Sequence, residues 1–334
     1  IDAFRGRLED GMPRGPERAA LERPPTAFDA THEFTVQPYT PSFGESDDYR
    51  CFLFDVDFDE PMYLLSSNVR PGNSIVHHVL VYALTGDQAE EARARDGAEE
   101  GPGYTCFGGP VSFGGVRGDD LELGQLSEVL RSVRFPQQLG AWVPAQTPKP
   151  IEPSIGTRVD AGSLIVMQVH YSAVAGAPML DSETTFEAHL TADEPQWLTR
   201  TAPVLQQNLD IPAGEPAVEQ SALVPYYGDE LILDGVTGHM HLLGSRLYAE
   251  IRRASDTFGE GECALHLPDW DFNWQESYYF PEGQELTLEN GDAFYLSCTY
   301  DNSAANQPVV NGVQQAPRDV QWGEGTLDEM CLLY

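Results

Sequence analysis

The sequence predicts an all-β fold with two consecutive antiparallel β-sandwich domains and an irregular N-terminal arm. Short runs rich in Val, Ile, Leu, Tyr and Phe recur from Phe34 onward, and Gly, Pro, Asn and Asp separate them. Long helical patterns are nearly absent, and many short strands with turn signals between them favour sandwiches or barrels. For a chain of 334 residues, two sandwiches are favoured over one.

The domain boundaries follow from changes in composition. Residues 1–32 are rich in Pro, Arg and Glu with little apolar periodicity, which predicts an extended arm. The polar, proline-containing stretch TADEPQWLTRTAP at 191–203 predicts the connection between a first domain, 33–194, and a second domain, 195–334. Two further stretches, 86–100 and 124–133, have the pattern of short helices placed in loops.

Composition restricts the partners. Acidic residues outnumber basic ones by 53 to 19, and the formal net charge of -34 argues against nucleic acid or an anionic membrane surface as a partner. No apolar run reaches 18 residues, so we expect no membrane span. No signal peptide is visible, although the chain begins at Ile1 and not at Met.

The five cysteines indicate the compartment. Their wide, irregular spacing contains no Cys-x-x-Cys pair, which argues against zinc ribbons and thioredoxin-type redox sites. Such spacing suits disulfides formed in an oxidising compartment, with one cysteine left over. We therefore expect a secreted or periplasmic protein.

Five of the eight histidines lie in three strand-like segments and are candidate metal ligands. His77 and His78 lie in SIVHHVLVYAL, His170 in IVMQVHYS, and His239 and His241 in GHMHLLG. On a strand, residues i and i+2 share a face, so His239 and His241 can bind one ion together. His77 and His78 ideally face opposite ways. For both to bind one metal the strand must twist, end or bulge, and a histidine from another strand, such as His170, would complete the site.

A structural role is the alternative for each of these histidines. A single buried His is more often a hydrogen-bonded core residue than a ligand, but three such segments in one β-rich chain favour a metal. His32, His189 and His266 lack this context, and we expect them to be structural or exposed.

The donor types narrow the choice of metal. Three imidazoles with no carboxylate nearby in the sequence suit Cu or Zn. The two-histidine site needs another ligand, and a thioether there would favour Cu(I). Met330, which directly precedes Cys331, is one candidate. Met240 lies between the two histidines, so it should face the other way and pack in the core.

This pattern of residues resembles the copper type II, ascorbate-dependent monooxygenases, the family of the peptidylglycine α-hydroxylating and dopamine β-monooxygenases. In that family, a His-His pair and the histidine of a Gln-Val-His-Tyr segment hold one copper. A His-x-His pair and a methionine directly before a cysteine hold the other. The resemblance runs roughly from Phe34 onward, and all six ligand types occur in the family's order. It implies one copper at His77, His78 and His170, and a second, catalytic copper at His239, His241 and Met330.

The resemblance has further implications for fold and chemistry. It implies jelly-roll-type sandwiches with one copper in each, and the disulfides Cys51–Cys106 and Cys298–Cys331. Cys263 is left without a partner, and we expect an inert buried thiol there. The implied reaction is hydroxylation of a C–H bond with O₂, next to the second copper. Ascorbate or another one-electron reductant would supply electrons through the three-histidine copper.

Departures from the family bear on the substrate. Peptide-amidating members hold the substrate carboxylate with an arginine two residues before the His-x-His pair, where this chain has Thr237. They have an asparagine directly after the Met-Cys pair, where this chain has Leu332, whereas their tyrosine two residues further on is kept as Tyr334. Without the bidentate anchor of arginine, we expect a small organic substrate and not a peptide ending in glycine.

Two other interpretations use the same residues. A non-catalytic copper-binding or storage protein needs the ligands but no substrate pocket. A zinc hydrolase at the three-histidine site would need a carboxylate base nearby and no methionine. The aromatic stretch WDFNWQESYYF at 270–280 is either a wall beside Met330 or part of the core.

Overall fold

A computed structural model of the chain describes residues 28–43, 47–107, 109–111, 136–143, 146, 148–172, 177–255, 261–272, 274–281, 283–310, 313–323, 325 and 327–334. The fold is almost entirely β, as the sequence predicts. Cα packing divides it into two compact units, one ending at Pro203 and the next beginning at Val204. Within the part of the chain that the structure describes, no helix is long and apolar enough to cross a membrane.

The helix predicted within 86–100 is confirmed as α1, Asp87–Asp96. The helix predicted at 124–133 lies outside the described residues, and so does the predicted N-terminal arm up to residue 27.

The first unit contains two five-stranded sheets. Their orders are β1-β9-β3-β7-β10 and β5-β2-β8-β4-β6, and neighbouring strands are antiparallel except β7 and β10. The strands are β1 His32–Thr35, β2 Asp48–Asp55, β3 Met62–Arg70, β4 Val76–Leu84, β5 Tyr104–Thr105, β6 Gln137–Trp142, β7 Ile155–Val159, β8 Leu164–Tyr171, β9 Thr185–Thr191 and β10 Trp197–Leu198.

Both sheets of the first unit contribute to one apolar core. Val69 and Phe186 come from one sheet, and Val81 and Met167 from the other. Two sheets that share one buried layer of side chains form a sandwich. The strand β8 is buried along its whole length, because it lies between β2 and β4 and is covered on both faces. Apolar residues dominate it for that reason.

The second unit also contains two main sheets, both four-stranded. Their orders are β11-β22-β14-β17 and β12-β19-β15-β16, and two short pairs, β13-β18 and β20-β21, flank them. The strands are β11 Val204–Leu205, β12 Val218–Pro225, β13 Leu231–Leu233, β14 Gly235–His239, β15 Gly244–Arg252, β16 Glu262–Leu267, β17 Ser277–Tyr279, β18 Leu286–Leu288, β19 Ala293–Tyr300, β20 Val309–Val310, β21 Val313–Gln314 and β22 Leu332–Leu333.

The core of the second unit joins these two sheets. Val236 and Leu333 from one sheet pack in the same buried cluster as Leu247 and Leu296 from the other. Met240 belongs to this cluster and is fully buried, which confirms that it faces away from its two histidine neighbours.

Both implied disulfides are present. Cys51, on β2, is bonded to Cys106. Cys298, on β19, is bonded to Cys331, which directly precedes β22, so this bridge links the two main sheets of the second unit. The expectation of a buried thiol at Cys263 is wrong: it is free and exposed, and it lies on the edge strand β16.

Candidate metal centres

A bulge in β4 brings His77, His78 and His170 together. β4 and β8 are antiparallel neighbours in which His78 lies directly opposite His170. The register shifts between Val76 and His78, so His77 is an extra residue on its strand. An extra residue breaks the strict alternation of faces, which allows adjacent side chains to turn to the same side. This bulge is the irregularity that adjacent His77 and His78 need if both are to bind one metal.

The nitrogen atoms of these three rings have the spacing of metal ligands. Nδ1 of His78 lies 3.3 Å from Nδ1 of His77 and 3.2 Å from Nδ1 of His170. One ligand atom from each residue lies within 4.8 Å of the others. Metal–nitrogen bonds of about 2.0–2.1 Å in tetrahedral geometry set two nitrogens about 3.3 Å apart. The spacing therefore fits a single ion held by three imidazoles.

Asp47 and Tyr49 hold the third ring in place. Nε2 of His170 lies 2.9 Å from Oδ2 of Asp47. Because a carboxylate only accepts, Nε2 carries the proton and Nδ1 keeps its lone pair for a metal. The ring of Tyr49 stacks on His170 with centroids 4.1 Å apart.

Burial favours the neutral form of the His170 imidazole. His170 is 1% exposed, and burial lowers the pKa of its imidazole, although Asp47 acts in the opposite direction. Neutral imidazole is the form that binds metals.

The second site is formed where β14 meets β22. His239, the last residue of β14, lies opposite Leu332 in this antiparallel pair. His241 follows His239 by two residues and Met330 precedes Leu332 by two, so both lie just outside this pair of strands. Cross-strand partners, and residues two apart on a strand, share a face. His239 and Leu332 therefore share one face, and the imidazole centroids of His239 and His241 are 5.1 Å apart.

Hydrogen bonds orient both histidines of the second site in the same way. Nδ1 of His239 lies 2.7 Å from Oε1 of Gln275, whose amide nitrogen donates to the carbonyl of Phe272. Nδ1 of His241 lies 3.0 Å from the carbonyl oxygen of Asp328. Both partners are acceptors, so each Nδ1 carries the proton and each Nε2 has a lone pair for a metal. The first site thus presents Nδ1, at least from His170, and the second presents Nε2.

A buried carboxylate ties the two halves of the second site together. Glu329, fully buried, accepts the backbone N–H of His241 at 2.9 Å and of Leu243 at 2.6 Å. It also directly precedes Met330, whose carbonyl accepts a hydrogen bond from Tyr300 at 2.9 Å. Burial raises the pKa of Glu329 to about 8, and the N–H donors oppose this effect.

Sequence comparison adds no relative for this chain. No protein-family model matches it. No curated protein matches it either.

The aromatic stretch 270–280 lies beside the histidine pair. The indole N–H of Trp270 donates to the carbonyl of His241 at 3.1 Å, and Phe272 approaches the His241 ring edge-on with centroids 6.2 Å apart. Tyr278 packs against the core of the second unit. The stretch therefore contributes to the core, the second of the two roles that the sequence left open, and it also packs beside His241.

The three residues that the sequence singled out as possible substrate contacts lie along the same two strands. Thr237 and Tyr334 exchange backbone hydrogen bonds of 2.8 Å across β14 and the end of β22. The hydroxyl of Thr237 donates to Ser277 at 2.8 Å. Leu332 is buried at 3% exposure and is the register partner of His239. Position 237 thus carries a neutral side chain whose hydroxyl is hydrogen-bonded to that of Ser277.

The remaining histidines lie apart from both groups, as expected. His32 packs edge-on against Phe58, His189 contacts the backbone of Asp29, and the exposed His266 packs against Tyr248.

Three residues of the sites were missed in the sequence, namely Asp47, Gln275 and Glu329. Their local signals were present: Asp47 lies two residues before Tyr49, Gln275 lies within the aromatic stretch, and Glu329 directly precedes Met330. Each acts on a histidine far away in the chain, and the pairing depends on the fold.

Proposed function

We propose that the chain is a copper-dependent monooxygenase that hydroxylates a C–H bond of a small organic substrate with O₂ and an external reductant such as ascorbate. The observation that supports this most is the cluster of His77, His78 and His170, in a chain that also brings His239 and His241 together and joins His241 to the residue before Met330. Two imidazoles with one thioether is an unusual donor set, and it favours copper over zinc.

The donor sets suit two copper ions with different roles. Three imidazole nitrogens at His77, His78 and His170 bind both copper oxidation states, whereas a thioether from Met330 favours the reduced ion. Bound copper would supply the O₂ and one-electron chemistry. The protein supplies placement: Asp47 and Gln275 orient ligand rings, and Glu329 holds His241 and the Met330 segment together.

The surroundings of the second site favour a substrate that does not bind through a carboxylate group. The side chains beside His239 on its face are the neutral Thr237 and Leu332. Neither offers the fixed pair of donors with which arginine holds a carboxylate. We therefore propose hydrophobic amines, phenols or similar small molecules as the substrate class, in preference to a peptide ending in glycine.

Two disulfides in the described structure are typical of proteins that mature in an oxidising compartment. This supports a secreted or periplasmic location as part of the proposal.

The decisive experiment combines purified, copper-loaded protein with ascorbate, ¹⁸O₂ and a panel of hydrophobic amines, phenols and peptides. Mass spectrometry should detect a product that carries one ¹⁸O atom, and its amount should match the ascorbate-dependent O₂ uptake. Copper binding without any labelled product across the panel would support a storage or delivery protein. Zinc, and not copper, in protein purified without added metal would support a hydrolase at the three-histidine site.

A further inference from the structure

Each candidate site contains a histidine whose second ring nitrogen is held by a buried side chain, and the two side chains differ in charge. His170 donates to the carboxylate of Asp47 at 2.9 Å, and this carboxylate is 8% exposed. His239 donates to the carboxamide oxygen of Gln275 at 2.7 Å, and Gln275 is 4% exposed. The two hydrogen bonds are alike in length and burial, but the first places a full negative charge behind its imidazole.

That charge has a predictable effect on a bound metal. A carboxylate on the N–H of a ligand imidazole makes the opposite nitrogen a stronger donor. A nearby negative charge also stabilises Cu(II) more than Cu(I), and this difference is larger in a buried site than in water. Both effects favour Cu(II) over Cu(I). A neutral carboxamide provides only a dipole and has a weaker effect.

We infer that Asp47 is a positioning residue that lowers the reduction potential of copper at the three-histidine site below that of copper at His239, His241 and Met330. This inference rests on the proposed function. Gln275 leaves the second site without such a charge, and the thioether of Met330 raises its preference for Cu(I) further. The residues that orient the histidines thus favour Cu(II) at the three-histidine site and Cu(I) at the site of His239, His241 and Met330.

The neighbouring Asp48 provides a matched control. It is also a carboxylate close to the site, but it accepts hydrogen bonds from the Tyr39 hydroxyl at 2.6 Å and from the Ser42 backbone N–H at 2.9 Å. Substitution of Asp48 therefore removes the same unit of charge without touching the proton on the His170 ring. Asparagine at position 47 keeps an oxygen that can accept the Nε2–H bond, so it removes the charge and keeps the size.

The test is a redox titration of the full chain, followed by the Cu(II) electron paramagnetic resonance signal. A His239→Ala background leaves the three-histidine copper as the one observed, and a His77→Ala background leaves the second copper, whose potential should be the higher of the two. Asp47→Asn should shift the ratio of Cu(II) to Cu(I) binding constants about tenfold towards Cu(I), which raises the potential by about 59 mV. Asp48→Asn should give a much smaller rise. Asp47→Ala should raise the potential and also weaken copper binding, and it serves as the second variant if the asparagine variant is unstable.

The outcomes separate the inference from the function on which it rests. An unchanged potential in both Asp47 variants, or an equal rise in Asp48→Asn, overturns the role of Asp47 while copper remains bound. Failure of the unsubstituted chain to bind copper at His77, His78 and His170 overturns the proposed function itself, and the inference with it.

Discussion

At the scale of single residues, a ring nitrogen becomes a ligand because its partner nitrogen is already occupied. Asp47 fixes the proton of His170, and Gln275 fixes that of His239. A free imidazole exchanges between two tautomers, so the hydrogen-bond acceptor decides which ring nitrogen is left to bind a metal. Substitution of these acceptors, like substitution of the histidines, should therefore affect metal binding.

Replacement of Met330 tests the role of the thioether. We expect Met330→His to retain copper but to lose hydroxylation, because a nitrogen donor shifts preference towards the oxidised ion. Copper content and ascorbate-dependent product formation should be measured together. Met179→His is the control, since Met179 is an exposed methionine in the other unit. Full activity of Met330→His would show that the thioether is dispensable.

Replacement of Glu329 tests the buried carboxylate. In Glu329→Gln an amide group faces backbone N–H donors, so at least one of them loses its acceptor at a cost of about 1–3 kcal/mol. Urea unfolding above pH 8, where the Glu329 carboxyl is ionised in the folded protein, should show this loss, and copper affinity at the second site should fall. Glu250→Gln is the control: Glu250 is also buried, but it binds the side chains of Tyr248 and Arg252. Equal effects of the two substitutions on copper affinity would contradict a specific role for Glu329.

The histidines could be predicted at this scale, whereas their partners could not. Side-chain alternation on strands predicts that His239 and His241 share a face and that His77 and His78 need a bulge. Asp47 lies 123 residues from His170 in the sequence, and Glu329 lies 88 from His241. Hydrogen bonds over such separations depend on strand order and register, which local periodicity does not specify.

At the scale of elements, two pairs of strands build the sites. β4 and β8 are both central strands, and His170 is paired on both sides, with Tyr49 of β2 and with His78 of β4. β22 is only two residues long, and Met330 lies just outside it. The Met330 segment therefore depends on Glu329 and on the Cys298–Cys331 bridge for its position.

Removal of that bridge should affect the two sites unequally. The loop it closes spans 33 residues, and the chain-entropy model gives about 3–4 kcal/mol for this length. In Cys298→Ser we expect turnover to fall sharply, since a shift of about 1 Å can cost on the order of 100-fold in rate. Reduction of the three-histidine copper by ascorbate should keep its normal rate in stopped-flow measurements.

The free cysteine provides the control for this experiment. Cys263 is exposed and outside both bridges, so Cys263→Ser should leave turnover unchanged. If Cys298→Ser retained full turnover, or if ascorbate reduction slowed as much as turnover, the bridge would not be what positions Met330.

The strands themselves follow closely from the sequence. The apolar run around His170 becomes the fully buried β8, and the stretch at 86–100 becomes α1. The exposure of Cys263 was not predicted, because the sequence does not say that β16 is an edge strand.

At the scale of the whole molecule, each unit holds its own candidate site on its own strands. His77, His78 and His170 belong to the unit that ends at Pro203, and His239, His241 and Met330 to the unit that begins at Val204. Because each set of ligands is built within one compact unit, the loss of one site should leave the other able to bind its ion. The independence of the two sites can therefore be measured directly.

The most direct test of the account is the number of copper ions bound per chain, measured by inductively coupled plasma mass spectrometry after loading and removal of weakly bound metal. The unsubstituted chain should bind two, His77→Ala and His239→Ala should each bind one, and His266→Ala should still bind two because His266 lies apart from both sites. A copper content that falls to zero in His77→Ala, or stays at two, would contradict two separate copper sites.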